Sequence, residues 1–260
     1  MTARAIWKGI IRLGEVSIPV KLYSAVQEQR VHFRLLHAKD HIPVKQEMVH
    51  PETNEVVAKE AIRYGYETEN GRIVILTDEE LKSLEPEASR DIEIIRFLPG
   101  AAIDHRWYER PYFLGPDGDR ESYFALIAAL DGTELEALAR WIMRNKEYFG
   151  VLRLQAGYPV LVTLRFAEEV VPVSALKIPA GREIDQKEFA MAEQLVSAMG
   201  GTFDPGEYRD EYRNRVMELI AAKASGKIVP LRKAAPQKPT RDLKKALEAS
   251  LHAARERRRG

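Results

Sequence analysis

Residues 4–25 read RAIWKGIIRLGEVSIPVKLYSA, and their side-chain period is two on both sides of Gly14. Trp7, Ile11 and Leu13 share one parity, with Lys8 and Arg12 on the other. Beyond the glycine, Val16, Ile18, Val20 and Leu22 line one face while Glu15, Ser17 and Lys21 face away. This is the alternation of half-buried strands, not of a helix. Two such runs meeting at Gly14-Glu15 predict a hairpin with an apolar inner face, the first wall of a β-barrel. Pro19 has no amide proton to donate, which confines it to an edge or a bulge.

The 260 residues suffice for one sizeable domain with an appendage, or for two small ones. The chain has no cysteine, which removes disulfides, thiolate metal sites and cysteine nucleophiles together. No apolar segment approaches the roughly 18 residues of a membrane helix, and residues 1–14 lack the apolar run of a secretory signal. A cytoplasmic protein without membrane contact is expected.

The net charge of +1 conceals an uneven distribution. Residues 1–46 hold eight Lys/Arg against three Asp/Glu, and residues 47–109 hold seven against fifteen. The tail, residues 232–260, holds ten basic residues against three acidic. The rest of the chain keeps 30 basic and 36 acidic residues, so a slightly acidic body carries a strongly basic tail. That asymmetry points to a polyanionic partner.

Taken in order, residues 31–36 read as a short strand. His37 and His41 are four apart, but Pro43 follows at once and no H-E-x-x-H pattern is present, so they read as loop residues and no metal or other cofactor is expected. Residues 42–50 and 55–64 form two extended runs joined by PETN, each long enough to span ~30 Å at about 3.3 Å per residue. A two-stranded hairpin of that length is marginal alone in water, so pairing of two arms in a dimer is the expectation. Residues 72–76 form a β-branched strand behind Asn70-Gly71, and Thr77 with Glu80 makes a capping box for a helix that stops at Pro86.

Residues 91–98 alternate again, and 112–114 add a short strand. Residues 121–130 form a helix apolar on most sides, hence buried, and Thr133 with Glu136 caps a second helix to about residue 145. Residues 148–154 and 159–166 make a hairpin with Val160, Val162, Leu164 and Phe166 on one face. From Asp185 the period becomes helical. One helix carries Phe189, Ala192, Val196 and Met199 up to Gly200-Gly201, and a second, capped by Asp204-Pro205, carries Tyr208, Tyr212, Val216 and Leu219 up to Gly226. A Pro- and Lys-bearing linker, KAAPQKP, leads to a basic segment with a thin stripe of Leu243, Leu247 and Leu251.

No machinery for catalysis stands out. The chain has neither a phosphate loop nor G-x-G-x-x-G nor G-x-S-x-G, and its carboxylates are spread over caps and solvated faces. The chain is read as a binder, not an enzyme. Lys8, Lys21, Arg30, Arg34, Lys39, Lys45, Lys59 and Arg63 lie on the first strands and the arm. They either track a phosphate backbone or are isolated charges on a solvated sheet. The tail, with Lys238, Arg241, Lys244, Lys245, Arg255, Arg257 and Arg258, is the stronger signal. Each phosphate it neutralises adds about 0.9 to the slope of log affinity against log salt.

RAIWKGIIRLGEVSIPVKLYSA, IRYGYETENGRIVILTDEEL, RNKEYFG, YPVLVTLRFAEEV and FDPGEYRDEYRNRVMELIAAKASGK occur in this order along the chain, which over residues 1–231 resembles bacterial Ku, the DNA-end-binding protein of non-homologous end joining. Departures are Arg12 and Glu15, where the family more often has small or apolar residues, and a tail shorter than some lysine-rich extensions. The resemblance implies a mixed β and α fold. A Ku-type β-barrel carries a long dimerising arm, about residues 38–75, and forms a homodimeric ring around duplex DNA. Core residues 1–184, a helical region at 185–231 and a flexible basic tail at 232–260 make up the chain. It further implies Arg34, Lys39, Lys45, Lys59 and Arg63 as the ring lining. Recruitment of the ATP-dependent DNA ligase D falls to the segment holding Lys223, Lys227, Ile228, Val229, Pro230 and Leu231. The competing readings are a β-barrel nucleic-acid-binding regulator without end preference, and a metal-dependent phosphoesterase that would use His37 and His41.

Overall fold

A computed structural model describes residues 4–179, 181, 183–226 and 250. Two compact units share them, one of residues 4–29 and 34–175, the other of residues 30–33 and the described residues from 176 onward.

The first unit is built on a closed barrel. Strands β1 (Trp7–Leu13) and β2 (Val16–Ser24) pair as the expected hairpin, in register from Trp7↔Leu22 to Leu13↔Val16. Gly14 has φ +57° and Glu15 does not, as a two-residue type II′ turn requires. The strand order is β1-β2-β6-β9-β8-β7-β5, with β5 (Asp91–Pro99), β6 (Tyr108–Pro116), β7 (Leu135–Met143), β8 (Lys146–Gln155) and β9 (Tyr158–Leu164). Parallel pairing of β1 with β5 closes the barrel, and every other neighbouring pair is antiparallel. A parallel pair needs a long connection between its strands, and here that connection includes the arm. Pro19 lies within the hairpin, not at an edge. Opposite it, Ile10 donates its N–H to Arg90 instead, and the Pro19 carbonyl accepts from the Asp117 N–H at 3.0 Å, just past the end of β6. The missing amide proton therefore faces a place where no ladder bond is required.

Ile11, Ile18, Val20 and Leu22 point inward and are buried, as the alternation predicts, whereas Val16 at the turn stays exposed. They meet Ile92, Leu114, Ala139, Trp141, Leu152 and Leu161 in one core. Helix α2 (Arg120–Asp131), capped by Asp119 on the Ser122 N–H, buries Tyr123 and Leu130 in this core, and the Tyr123 hydroxyl donates to the Leu114 carbonyl at 2.7 Å. It is not buried all round: Phe124 is 59% exposed. A second apolar cluster, Val151, Val160, Val162 and Leu164 with Trp107 and Phe149, buries the other face of β9.

Residues 133–145, read as a helix, form β7 and the turn after it. The segment LEALARWIM is rich in helix formers, yet Ala137, Ala139, Trp141 and Met143 alternate into the core while pairing with β5 and β8 satisfies the backbone. Context overrides propensity here. Thr133 does not start a helix either. Its hydroxyl donates to the carbonyls of Ala129 and Leu130 at the end of α2. Glu136, buried, accepts from the Tyr108 hydroxyl at 2.9 Å and pairs with Arg153 at 3.3 Å. The strand read at 112–114 is nine residues long.

From residue 23 to residue 91 no side chain is buried. This is the arm. Its two extended runs meet only at the isolated bridge Val49↔Val56, not as continuous strands; the first run also bridges back to the preceding segment at Leu36↔Pro43, and residues 31–35 form no strand. The tip is closed by Val57 N–H to Met48 O and His50 N–H to Glu55 O. Strands β3 (Tyr64–Glu67) and β4 (Ile73–Leu76) pair across Gly71, φ +73°, and lead to α1 (Asp78–Ser83), whose Thr77–Glu80 capping box is present as read.

The second unit contains α3 (Gln186–Ala198) and α4 (Glu211–Ala224). The helix read from Asp204 begins instead at Asp210, which accepts from the Arg213 N–H at 2.9 Å; Asp204-Pro205 opens only a single 3-10 turn. Phe189 and Val196 on α3, Met199 at its C-cap, and Tyr212 on α4 are exposed.

Candidate nucleic-acid interface

Several outward cations of the barrel wall are ion-paired within the fold. Lys8 and Lys21 are direct cross-strand partners, a like-charge pair that is destabilising alone. Asp117, in the turn before α2, bonds Lys8 at 2.9 Å and Lys21 at 2.8 Å. Hydrogen bonds from Lys21 and then Lys8 hold the Asp117 carboxyl below its usual range, and the bond to Asp117 raises Lys21. Arg12 pairs with Asp91 at 3.1 Å and also meets the Ser17 hydroxyl. Arg140 reaches Glu93 at 2.7 Å and Glu147 at 3.8 Å, and the bond to Glu93 raises it. Of the residues read as phosphate-tracking, Lys8 and Lys21 thus carry a counter-charge. Nothing in the PDGD turn marked Asp117 as that counter-charge, because the contact exists only once β2 and β6 pair.

The arm is different. Arg34, Lys39, Lys45 and Lys59 are exposed and have no ion-pair partner among the described residues. Arg63 folds back on its own backbone, donating to the carbonyls of Glu60 at 2.6 Å and Ile62 at 2.8 Å. His37 Nδ1 donates to the Asp40 carboxylate at 2.8 Å across the turn, and the Ile42 N–H, then His37, lowers the Asp40 carboxyl. Among the described residues no group of three or more His, Asp or Glu could hold a metal ion, and no helix is long and apolar enough to cross a membrane.

The same arm exposes Leu35, Leu36, Ile42, Val44, Met48 and Val49, with Tyr64, Tyr66, Ile73 and Ile75 on β3 and β4. Met48, Val57, Ile62 and Tyr64 border a depression of about 700 Å³ beside Lys59. So much exposed apolar surface on a segment without a core is the mark of an interaction site. Lys223 lies on α4; Lys227, Ile228, Val229, Pro230, Leu231 and the tail residues Lys238, Arg241, Lys244, Lys245, Arg255, Arg257 and Arg258 lie outside the described residues.

A seven-stranded closed barrel interrupted by an extended arm, with cations on the arm that have no ion-pair partner among the described residues and ion-paired cations on the β1–β2 wall, defines a β-barrel binding protein of the Ku type. Residues 12–194 match the family model described as the Ku70/Ku80 beta-barrel domain. The chain is 34% identical to non-homologous end joining protein Ku 2 of Geotalea uraniireducens (strain Rf4), over 96% of this chain and 98% of that protein. It is 38% identical to non-homologous end joining protein Ku of Heliobacterium modesticaldum, over 96% and 92%. Against the protein of that name from Bacillus subtilis (strain 168) it is 33% identical, over 94% and 80%. The chain belongs to the Ku family.

Proposed function

We propose that this protein binds double-stranded DNA ends in non-homologous end joining, as a homodimeric ring that reads backbone and shape. The observation that carries the reading is the arm: four exposed cations without a counter-charge among the described residues stand on a segment with no core of its own. The cations suit phosphates, which offer no sequence information, and the apolar side chains suit a second arm. The family names of its relatives supply the pathway. Arg34, Lys39, Lys45 and Lys59 line the DNA path, with Arg63 shaping the turn beside it, and the basic tail adds non-specific affinity. The region from Lys223 to Leu231 recruits DNA ligase D. The protein performs no chemistry on the DNA itself.

Competition in a gel shift tests the reading. Labelled short linear duplex is challenged with equal nucleotide concentrations of linear or covalently closed circular DNA of the same sequence. Only linear DNA competes well if the ring is threaded. Equal competition by circles would mean binding from the side, the behaviour of a regulator without end preference. Pull-down of ligase D by protein truncated after Leu231 tests the recruiting segment.

A further inference from the structure

The barrel rim opposite α2 carries cations and aromatic rings with no assigned partner. Helix α2 leads into the start of β7, so it sits at the end of the barrel from which β7 departs, and the β7–β8 turn, Arg144-Asn145, marks the other end. There a cleft of about 270 Å³ is lined by Trp7, Ser89, Arg90, Ile142, Arg144 and Asn145. Trp7 lies back over Gly9, where a Cβ would come within 2.3 Å of the ring; it packs in part against the core and is only partly exposed toward the cleft. Beside the cleft, Arg110 sits over the Tyr112 ring at 5.8 Å and Lys146 over the Tyr148 ring at 5.6 Å.

The carboxylates nearby are already engaged. Glu85 accepts from Asn145 at 2.7 Å, Asp91 from Arg12 and Glu109 from Thr163 at 3.2 Å. Arg90 and Arg144 have no side-chain partner among the described residues. Arg144 is also an awkward residue for its place. With φ +55° at Arg144 and +60° at Asn145, the turn is of type I′, where Asn, Asp or Gly is favoured at both central positions. A bulky side chain kept in the left-handed region is a device found at functional sites.

We propose that this rim is a second nucleic-acid contact, taking a short single-stranded stretch of DNA: its phosphates on Arg90 and Arg144, a base against the part of Trp7 that lines the cleft. Guanidinium groups interleaved with aromatic faces are what sequence-independent single-strand readers use, since every base has a π-face. The inference rests on the nucleic-acid-binding reading above and extends it from duplex to overhang.

The test uses the full chain and an oligodeoxythymidylate about twelve nucleotides long. Its addition should quench tryptophan emission, and Trp7→Phe should abolish that quenching. The double variant Arg90→Gln, Arg144→Gly should weaken oligonucleotide binding at least about fivefold, the scale of losing one stacked or charged contact. Because glycine suits the turn better than arginine, this variant should melt no lower than the wild type, which separates the effect from misfolding. Binding to linear duplex should change little. Oligonucleotide binding that leaves Trp7 emission unaltered, or that the double variant retains in full, would overturn the proposal. Quenching at Trp7 in a protein with no preference for linear over circular duplex would keep the rim site while removing end binding.

Discussion

Lys8 stands directly opposite Lys21 across the β1–β2 pair, and one carboxylate, Asp117, serves both. The arrangement ties the first hairpin to the turn before α2 and gives stability a defined dependence on pH. Asp117 is depressed below its ordinary value of 3.8, so its contribution is present above that value and is lost as pH falls through the folded-state pKa. Lys21 is raised above 10.5, so its contribution is present below that value and is lost as pH rises through the folded-state pKa. Between these limits Asp117→Asn should lower the urea midpoint, with both lysines left facing each other. The gap between variant and wild type should close in strong acid and in strong base. A gap that persists unchanged below the carboxylate range would show that Asp117 acts through something other than its charge.

Gly150 lies under the indole of Trp141. A methyl group on its α-carbon would stand 2.7 Å from the ring and 2.4 Å from the Val162 carbonyl oxygen, while the other face of Trp141 stacks on Tyr148 at 5.7 Å. Gly150→Ala should therefore destabilise the barrel by about 1–3 kcal/mol or more, the range for overpacking a filled core. Gly201→Ala, where nothing lies within 4 Å, should stay within about 0.5 kcal/mol. Equal melting temperatures for the two variants would contradict the close contact.

The barrel was legible wherever period two was strong and the turn residues were distinctive, as in the first hairpin and in β8–β9. It was illegible in β7, where Leu135, Glu136 and the alanines favour a helix and only pairing with β5 and β8 makes them a strand. Residues 31–35 fail in the other direction, being β-prone in composition but lacking a partner strand. The arm's cations could be named from the sequence because they lie in one continuous stretch. Their difference from Lys8 and Lys21 could not, since Asp117 is nearly a hundred residues away along the chain. Arg90 and Arg144 are likewise brought together only by the pairing of β5 with β7.

Removing the tail after Leu231 takes away a seven-charge excess. DNA affinity should fall, and the slope of log affinity against log salt should flatten by about 0.9 for each phosphate the tail had neutralised. Mass by light scattering should stay that of a dimer, because the apolar surface assigned to pairing lies on the arm. A truncated protein with the wild-type salt slope would confine the tail to a solubilising role.

The arm and the wall make opposite predictions under the same assay. Changing Lys39, Lys45 and Lys59 together to alanine removes three cations that have no counter-charge among the described residues. If each meets a phosphate, the salt slope for linear duplex should decrease by about 0.9 per residue. Changing Lys8 to alanine removes a cation already shared with Asp117, so the slope should stay near that of the wild type. A slope that responds to Lys8 but not to the arm triad would move the DNA path from the arm to the barrel wall.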